Sequence, residues 1–355
     1  MSLLFIFLDG VGLAPAGPDN PLASADTPAL RALLGGPLTI EQARDWTLGT
    51  MDYELCSDPQ SPIPNPQSPI CILFKAIDAT LGVDGLPQSG TGQTALLAGV
   101  NAAALHGRHQ PHVPPVALRA LLAERSILRR VIARGGRAMF ANPFGLGYWQ
   151  AIAARRIRRS ASVIAAEGAG LRFRDGDDLR NGRAVSWDVT NAAMRARDID
   201  APVVTPAQAG THLAQLAHDH DLVFYESFLP DLAGHGRLTL DDRPLTIDDQ
   251  LSATNEGDKR WQSVVGGQWS VESQIHHAMA LLDALIGGAL AALRPQDTLL
   301  LTSDHGNVES IAAPTHTRNP VPLLVVGPAA HAFANVESIM ELADVIEQVT
   351  MIRDK

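Results

Sequence analysis

The sequence predicts an α/β fold: a mostly parallel sheet sandwiched by helices, with a smaller α/β cap domain inserted into it. Three observations carry this expectation. Apolar runs at residues 3–8, 222–225, 298–301 and 322–326 are continuous rather than alternating, as in strands covered on both faces. Ala/Leu-rich stretches with helical spacing, such as 278–293, lie between them. An Arg-rich block breaks the pattern from residue 101 onwards, and it has helical periods of its own around 116–133 and a strand-like run at 137–142. The expected division is a catalytic α/β domain from 1–100 and 209–355, with a cap at 101–208.

Two further segments fit neither part. Around residues 56–71 the sequence PQSPI occurs twice, at 59–63 and 66–70, in a Pro-rich stretch without helical or strand period. Residues 239–274 are polar and punctuated by Gly. Both are expected to be surface insertions.

Composition excludes several classes. Hydrophobic residues make up 46% of the 355 and charged residues 19%, which is enough to bury a core and too apolar for a disordered acidic chain. The net charge of −10 argues against nucleic-acid binding. No apolar run is expected to span a membrane, and residues 2–8 lack the basic flank and cleavage site of a signal peptide, running instead straight into Asp9-Gly10. They are expected to form a buried strand of a cytoplasmic protein. Cys56 and Cys71 are too few for a disulfide framework or a four-cysteine metal site and are expected as free thiols. Residues 101–160 contain eleven Arg, no Lys and one acid, Glu124, a local charge of about +10 against about −20 elsewhere. Either an anionic small ligand or a solvated helix face accounts for that asymmetry.

Chemistry-bearing residues cluster where the expected strands end, which is where α/β sheets bind ligands. Asp9 ends the first run. Asp231 and His235 follow the strand at 222–225 with a spacing of four. Asp304 and His305 follow the strand at 298–301 and point to opposite sides of an extended strand end, which suits two ions side by side. His316 precedes the strand at 322–326. Three Asp and three His at the ends of one sheet supply two divalent sites with mixed N and O ligands. The segment Gln88-Ser89-Gly90-Thr91-Gly92 leads into a helical Ala/Leu run. Its small residues admit close approach to the backbone, and its helix start favours an anion. Ser89 reads as a metal-activated nucleophile or as a plain helix N-cap. His106, His109 and His112 lie among prolines and are assigned to a loop, not a metal site. His218-Asp219-His220 is assigned to the surface.

The order Asp9, Gln-Ser-Gly-Thr-Gly, Asp-x-x-x-His, Ser-Asp-His-Gly-Asn and Thr-His-Thr followed by Asn-Pro-Val-Pro resembles the alkaline phosphatase superfamily. Within it, the likeness is to the cofactor-independent phosphoglycerate mutase and phosphopentomutase group. It covers residues 1–12, 78–101 and 222–328. The resemblance implies one metal among Asp9, Ser89, Asp304 and His305, and a second among Asp231, His235 and His316. It implies Ser89 as the phosphoryl-accepting nucleophile, with Thr91 the alternative. Mn or Zn suits these ligands, and Mg the more oxygen-rich site. Gln88, Arg155 and Arg156 are the candidate contacts to a small anionic phosphate ester; the expected partners include no nucleic acid and no membrane. Two departures stand out: Gln93 occupies a position where the mutases carry His, and their Arg-x-Asp-Arg motif is absent. The implied activity is metal-dependent phosphoryl transfer, as phosphomutase or phosphatase. A sulfatase or phosphodiesterase, or a catalytically impaired relative, are the alternatives; no Cys/Ser-x-Pro/Ala-Ser-Arg context surrounds Ser89.

Overall fold

A computed structural model describes residues 1–44, 49–51, 70–196, 199–238, 269–313 and 315–350. Its centre is one seven-stranded sheet. The strands are β1 (Leu3–Leu8), β2 (Gly49–Met51), β3 (Ile70–Ile77), β4 (Ala138–Phe140), β5 (Leu222–Ser227), β6 (Thr298–Thr302) and β7 (Val321–Val326), in the order β2-β3-β7-β6-β1-β5-β4. β6, β1, β5 and β4 run parallel, β7 is antiparallel to β6, and β3 is antiparallel to β7. Five of the seven strands therefore share one direction. The reversal of β7 brings its amino end to the same edge as the carboxyl ends of β1, β5 and β6.

β1 shows why the apolar runs are continuous. Leu4, Ile6 and Leu8 enter one core, with the helices Pro28–Leu34, Pro206–Ala217 and Val271–Ala292. Leu3, Phe5 and Phe7 enter the other, with the helices Ser89–Ala98, Ile127–Ala133, Ala161–Gly168 and Leu342–Thr350. Successive side chains point to opposite faces, and both faces are covered. All six are at most 1% exposed. At about 1.5–3 kcal/mol for each large apolar side chain, this strand contributes on the order of 10 kcal/mol of burial. That holds its polar carboxyl end in place.

Several expectations need amending. β3 begins at Ile70, so the second PQSPI copy ends in the sheet; residues 52–69, with Cys56, lie outside the described residues. Cys71 is half-buried in β3, and burial pushes its thiol pKa up, which makes it a weak nucleophile. Residues 239–268 also lie outside the described residues, whereas 271–274 form the first turn of the helix Val271–Ala292. That helix is long and apolar enough to cross a membrane by composition, contrary to the reading of the sequence. In the fold, Ile275, Met279, Leu282, Leu285 and Ile286 on it are buried in the core.

The Arg-rich block does not begin at a break in the structure. Its strand β4 pairs with β5 at the edge of the sheet, and Leu122, Ile127, Leu128 and Val131 pack in one cluster with Phe5 and Phe7. Its helical stretch is interrupted at Ser126, which caps the second helix by accepting from Arg129 N. Past Phe140 the ladder continues through a side chain. Asn142 Nδ2 donates to the Glu226 carbonyl at 2.8 Å, and Glu226 N donates to Asn142 Oδ1 at 2.9 Å. A smaller cluster of Leu179, Ala184, Met194 and Ala201 stands apart. Three of the eleven arginines at 101–160 pair with acids: Arg130 with Asp344 and Glu347, Arg134 with Glu347, and Arg159 with Glu167. Such surface pairs are worth only about 0–1 kcal/mol each.

Glu226, on β5, is 2% exposed and receives the Ser162 hydroxyl. Burial pushes its carboxyl up to about 8, with the Asp9 charge adding to the shift. The folded chain therefore binds this proton more tightly than the unfolded chain. Stability contributed by the neutral acid is full below the unfolded carboxyl range, declines as pH rises through the interval from 4.5 to about 8, and is lost above it. Glu226→Gln should flatten that decline in chelator-treated protein and raise the melting temperature above pH 8. Melting curves across pH that superimpose for the two proteins would rule this out.

Candidate metal centre

The sheet's edge assembles the centre. Asp9 follows β1, and its backbone N donates to Ser227 O at 3.0 Å, extending the pairing with β5 by one bond. Ser303, Asp304 and His305 follow β6, and Ser303 Oγ accepts from Val11 N at 2.9 Å, binding the two strand ends together. Beyond β5 the helix Leu229–Gly234 carries Asp231, and His235 caps its carboxyl end. His316 approaches along the chain that enters β7. Ser89 opens the helix Ser89–Ala98, reached from the β3 end that pairs with the start of β7.

All seven expected ligand residues converge. His305 Nε2 lies 3.0 Å from Ser89 Oγ, 3.2 Å from Asp9 Oδ1 and 3.7 Å from Asp304 Oδ2. Asp231 Oδ1 lies 3.4 Å from His235 Nε2 and 3.5 Å from His316 Nε2, and those two nitrogens are 3.3 Å apart. The His305 and His316 rings stack at 3.7 Å. Two groups of donors result, Asp9–Asp304–His305 and Asp231–His305–His316, with His305 in both.

Surrounding groups orient the donors. His316 Nδ1 donates to the Pro87 carbonyl at 2.9 Å, which orients the ring with Nε2 facing Asp231. Gln93 Nε2 donates to Asp9 Oδ2 at 3.0 Å and turns Oδ1 towards His305. Asn307 Nδ2 donates to Asp231 Oδ1 at 2.7 Å. Ser89 is not the helix cap: Gln88 holds that place, and the serine hydroxyl faces His305 instead. Thr91 is turned away, its hydroxyl donating to Gln88 O and accepting from Gln110 N. The open sides of the glycines are filled by the chain itself. A Cβ on Gly90 would fall 2.4 Å from Val113 O, and one on Gly92 would fall 2.9 Å from Asp304 O. That space packs the helix against the site and is not left for a substrate.

The residues fit divalent ions. Asp9 Oδ1 and both Asp304 carboxylate oxygens are buried without a hydrogen-bond partner among the described residues. Orphaned buried carboxylate oxygens are costly unless a cation or proton compensates them. Asp304 is pushed well above the carboxylate range by burial and by the Asp9 charge. Burial alone would lower His305, but the Asp304, Asp9 and Asp231 carboxylates outweigh it and push the imidazole up to about 10. Asp231 goes the opposite way. Burial opposes its ionisation, yet the hydrogen bond from His316, the His305 charge and the bond from Asn307 hold it below the usual range.

Arg155 and Arg156 are exposed beyond the helix Leu146–Ala153, and Gln88 is half-buried at the head of the Ser89 helix. No described contact brings either arginine to the ligand groups. Two cations that the sequence reading passed over stand nearer in the chain: Arg237, two residues past His235, whose pKa is lowered by burial first, with His316 and Arg237 adding to the shift, and Arg318, two residues past His316. Both are exposed. Their signal was position beside a ligand, not membership of a basic run.

Residues 265–352 match the family model described as the Metalloenzyme superfamily. That stretch contains the Ser-Asp-His-Gly-Asn and Thr-His-Thr segments and agrees with the resemblance to the alkaline phosphatase superfamily. Among curated proteins, the chain is 44% identical over 69 residues to the 2,3-bisphosphoglycerate-independent phosphoglycerate mutase of Syntrophotalea carbinolica, covering 18% of this chain and 13% of that protein. It is 46% identical over 52 residues to the phosphopentomutase of the same organism, 15% of this chain and 13% of that one. The matched stretches thus span under a fifth of these relatives. The alkaline phosphatase of the Antarctic bacterium TAB5 aligns over 99% of both chains at 13% identity and a TM-score of 0.47, too loose a likeness to carry an argument.

Metal uptake by this centre should release protons. Ligation needs the unprotonated His305 nitrogen, whereas the neighbouring carboxylates push the metal-free imidazole up to about 10. Affinity for Mn or Zn should therefore rise from about pH 6 to about pH 9, with about one proton released per chain. Calorimetry in buffers of different ionisation enthalpy measures the release. Affinity independent of pH would contradict the protonated metal-free state.

Proposed function

We propose that this chain, whose residues 265–352 carry the Metalloenzyme superfamily signature, is a metal-dependent phosphoryl-transfer enzyme that acts on a small phosphate ester through a phosphoserine at Ser89. The observation that carries this reading is the Ser89 hydroxyl. It stands on the first turn of a buried helix, 3.0 Å from His305 Nε2, beside two carboxylates with unpartnered oxygens. Two divalent ions, Mn or Zn, with Mg suited to the oxygen-rich group, would be held by Asp9, Ser89, Asp304 and His305 and by Asp231, His235 and His316; when bound they supply a lowered serine pKa and charge compensation for phosphoryl oxygens.

The chain's own residues do the rest. Ser89 Oγ gives up its proton and attacks phosphorus, the ester P–O bond breaks, and the leaving oxygen takes up a proton and departs as the alcohol. The phosphoryl group then passes to water or back to a substrate hydroxyl. The positive end of the Ser89–Ala98 helix favours the incoming anion. Gln93, Asn307 and the Pro87 carbonyl fix Asp9, Asp231 and His316 so that little reorganisation accompanies the reaction. Arg318 and Arg237, each two residues past a ligand histidine in the chain, are the proposed source of positive charge for a substrate's second anionic group. Arg155 and Arg156 keep the proposed role of attracting an anionic ester from a greater distance. The two relatives matched by sequence are mutases, which supports return of the phosphoryl group to substrate. Pentose phosphates and phosphoglycerates are the first substrates to try.

Ser89→Ala should lower kcat by several orders of magnitude while retaining most of the bound metal, because six other ligand residues remain. Quenching turnover of labelled substrate and mapping the peptides should place the label on Ser89. Full activity in the variant, or label on Thr91, would refute this assignment.

A further inference from the structure

Glu309 is 1% exposed, and neither ligand group contains it. Its carboxylate nevertheless reaches the chain beside both. Oε2 accepts from Gly12 N at 3.0 Å and from Asn307 N at 2.8 Å. Oε1 accepts from Asn319 Nδ2 at 3.0 Å and from the Thr317 hydroxyl. With two donors on each oxygen, the acceptor capacity of an ionised carboxylate is filled.

Each donor belongs to a segment that carries ligands. Gly12 lies on the loop that begins with Asp9. Asn307 follows Asp304 and His305, and its own side chain holds Asp231 Oδ1 at 2.7 Å. Thr317 adjoins His316, and Thr317 N donates to Gly306 O at 3.0 Å, closing the two loops on each other. The carboxylate is clamped as well as bonded. A Cβ on Gly12 would lie 2.4 Å from its carboxyl carbon, and one on Gly306 would lie 2.3 Å from Oε1. Only glycine at these two places lets the backbone close around it.

We infer that Glu309 is a positioning residue that holds the Asp9, Asp304–His305, Asp231 and His316 segments in register, so that both halves of the metal centre depend on one buried carboxylate. The inference rests on the metal reading of the centre but not on any particular reaction. Groups that orient metal ligands change affinity or activity by about 10–100-fold when removed.

Glu309→Gln tests it. The amide keeps the shape but offers one acceptor oxygen. If that oxygen keeps Gly12 and Asn307, the NH2 group faces the Thr317 hydroxyl and Asn319, and the restraint on His316 is reversed or lost. The metal-free variant and wild-type chains are titrated with Mn, Zn and Co, with the visible spectrum of the Co form reporting ligand arrangement. Glu309→Gln should bind about 10–100-fold more weakly and show an altered Co spectrum, while its metal-free melting temperature stays within a few degrees of wild type. Thr317→Val, which removes one donor and leaves the carboxylate, should weaken binding less; this variant answers the question even where Glu309→Gln does not fold. Native affinity and a native Co spectrum in either folded variant would overturn the role. So would a lowered metal-free melting temperature with unchanged affinity, which marks mere packing. A wild-type chain that takes up no divalent ion would overturn the metal reading itself, a result distinct from both.

Discussion

Asp9 and Asp304 stand side by side at the ends of adjacent strands with buried oxygens that face no partner but the His305 ring, and the rest of the centre answers to that constraint. An unpartnered buried polar group costs about 1–3 kcal/mol, and a charged one more. The fold tolerates the pair because the strands that carry them are anchored by fully buried side chains on two faces. The metal-free chain compensates with a proton on His305, and a cation replaces that proton when it binds. A site that is unfavourable when empty and preorganised when filled couples metal binding to stability.

The strands at the heart of the sheet were legible because each is an unbroken apolar run ending in a polar residue. β1 was read to the residue, and β5, β6 and β7 to within two. β3 was not, because Lys75 interrupts its apolar run and the Pro-rich repeat adjoins its start. Residues 137–142 were read as a strand, but a local pattern does not say which sheet a strand joins. β4 lies beside β5, whereas the sequence reading placed it in a cap.

The candidate ligand residues were legible for a similar reason: they lie close to strand ends along one edge of the sheet, in an order that resembles known motifs. Their supporting contacts were not. Nothing local distinguishes Glu309 from a surface acid, since its partners lie at Gly12, Asn307, Thr317 and Asn319 and become neighbours only on folding. The serine at the helix start shows the same limit. Sequence allowed it to be cap or nucleophile, and the backbone of Gln88 decides which place it occupies.

The central position of β1 bears on how the chain reaches this structure. Leu3 pairs with Leu222 on one side and with Thr298 on the other. Such distant pairings give a high contact order and slow folding. During synthesis the segment Leu-Leu-Phe-Ile-Phe-Leu emerges long before either neighbour exists, with both edges and both faces unsatisfied. A short, uncharged, strongly β-forming hexapeptide in that condition is prone to pair with other copies of itself. Production of this protein in quantity therefore depends on what shields residues 3–8 until residue 302 has been made, and slower translation or a chaperone that binds extended apolar segments favours the soluble product.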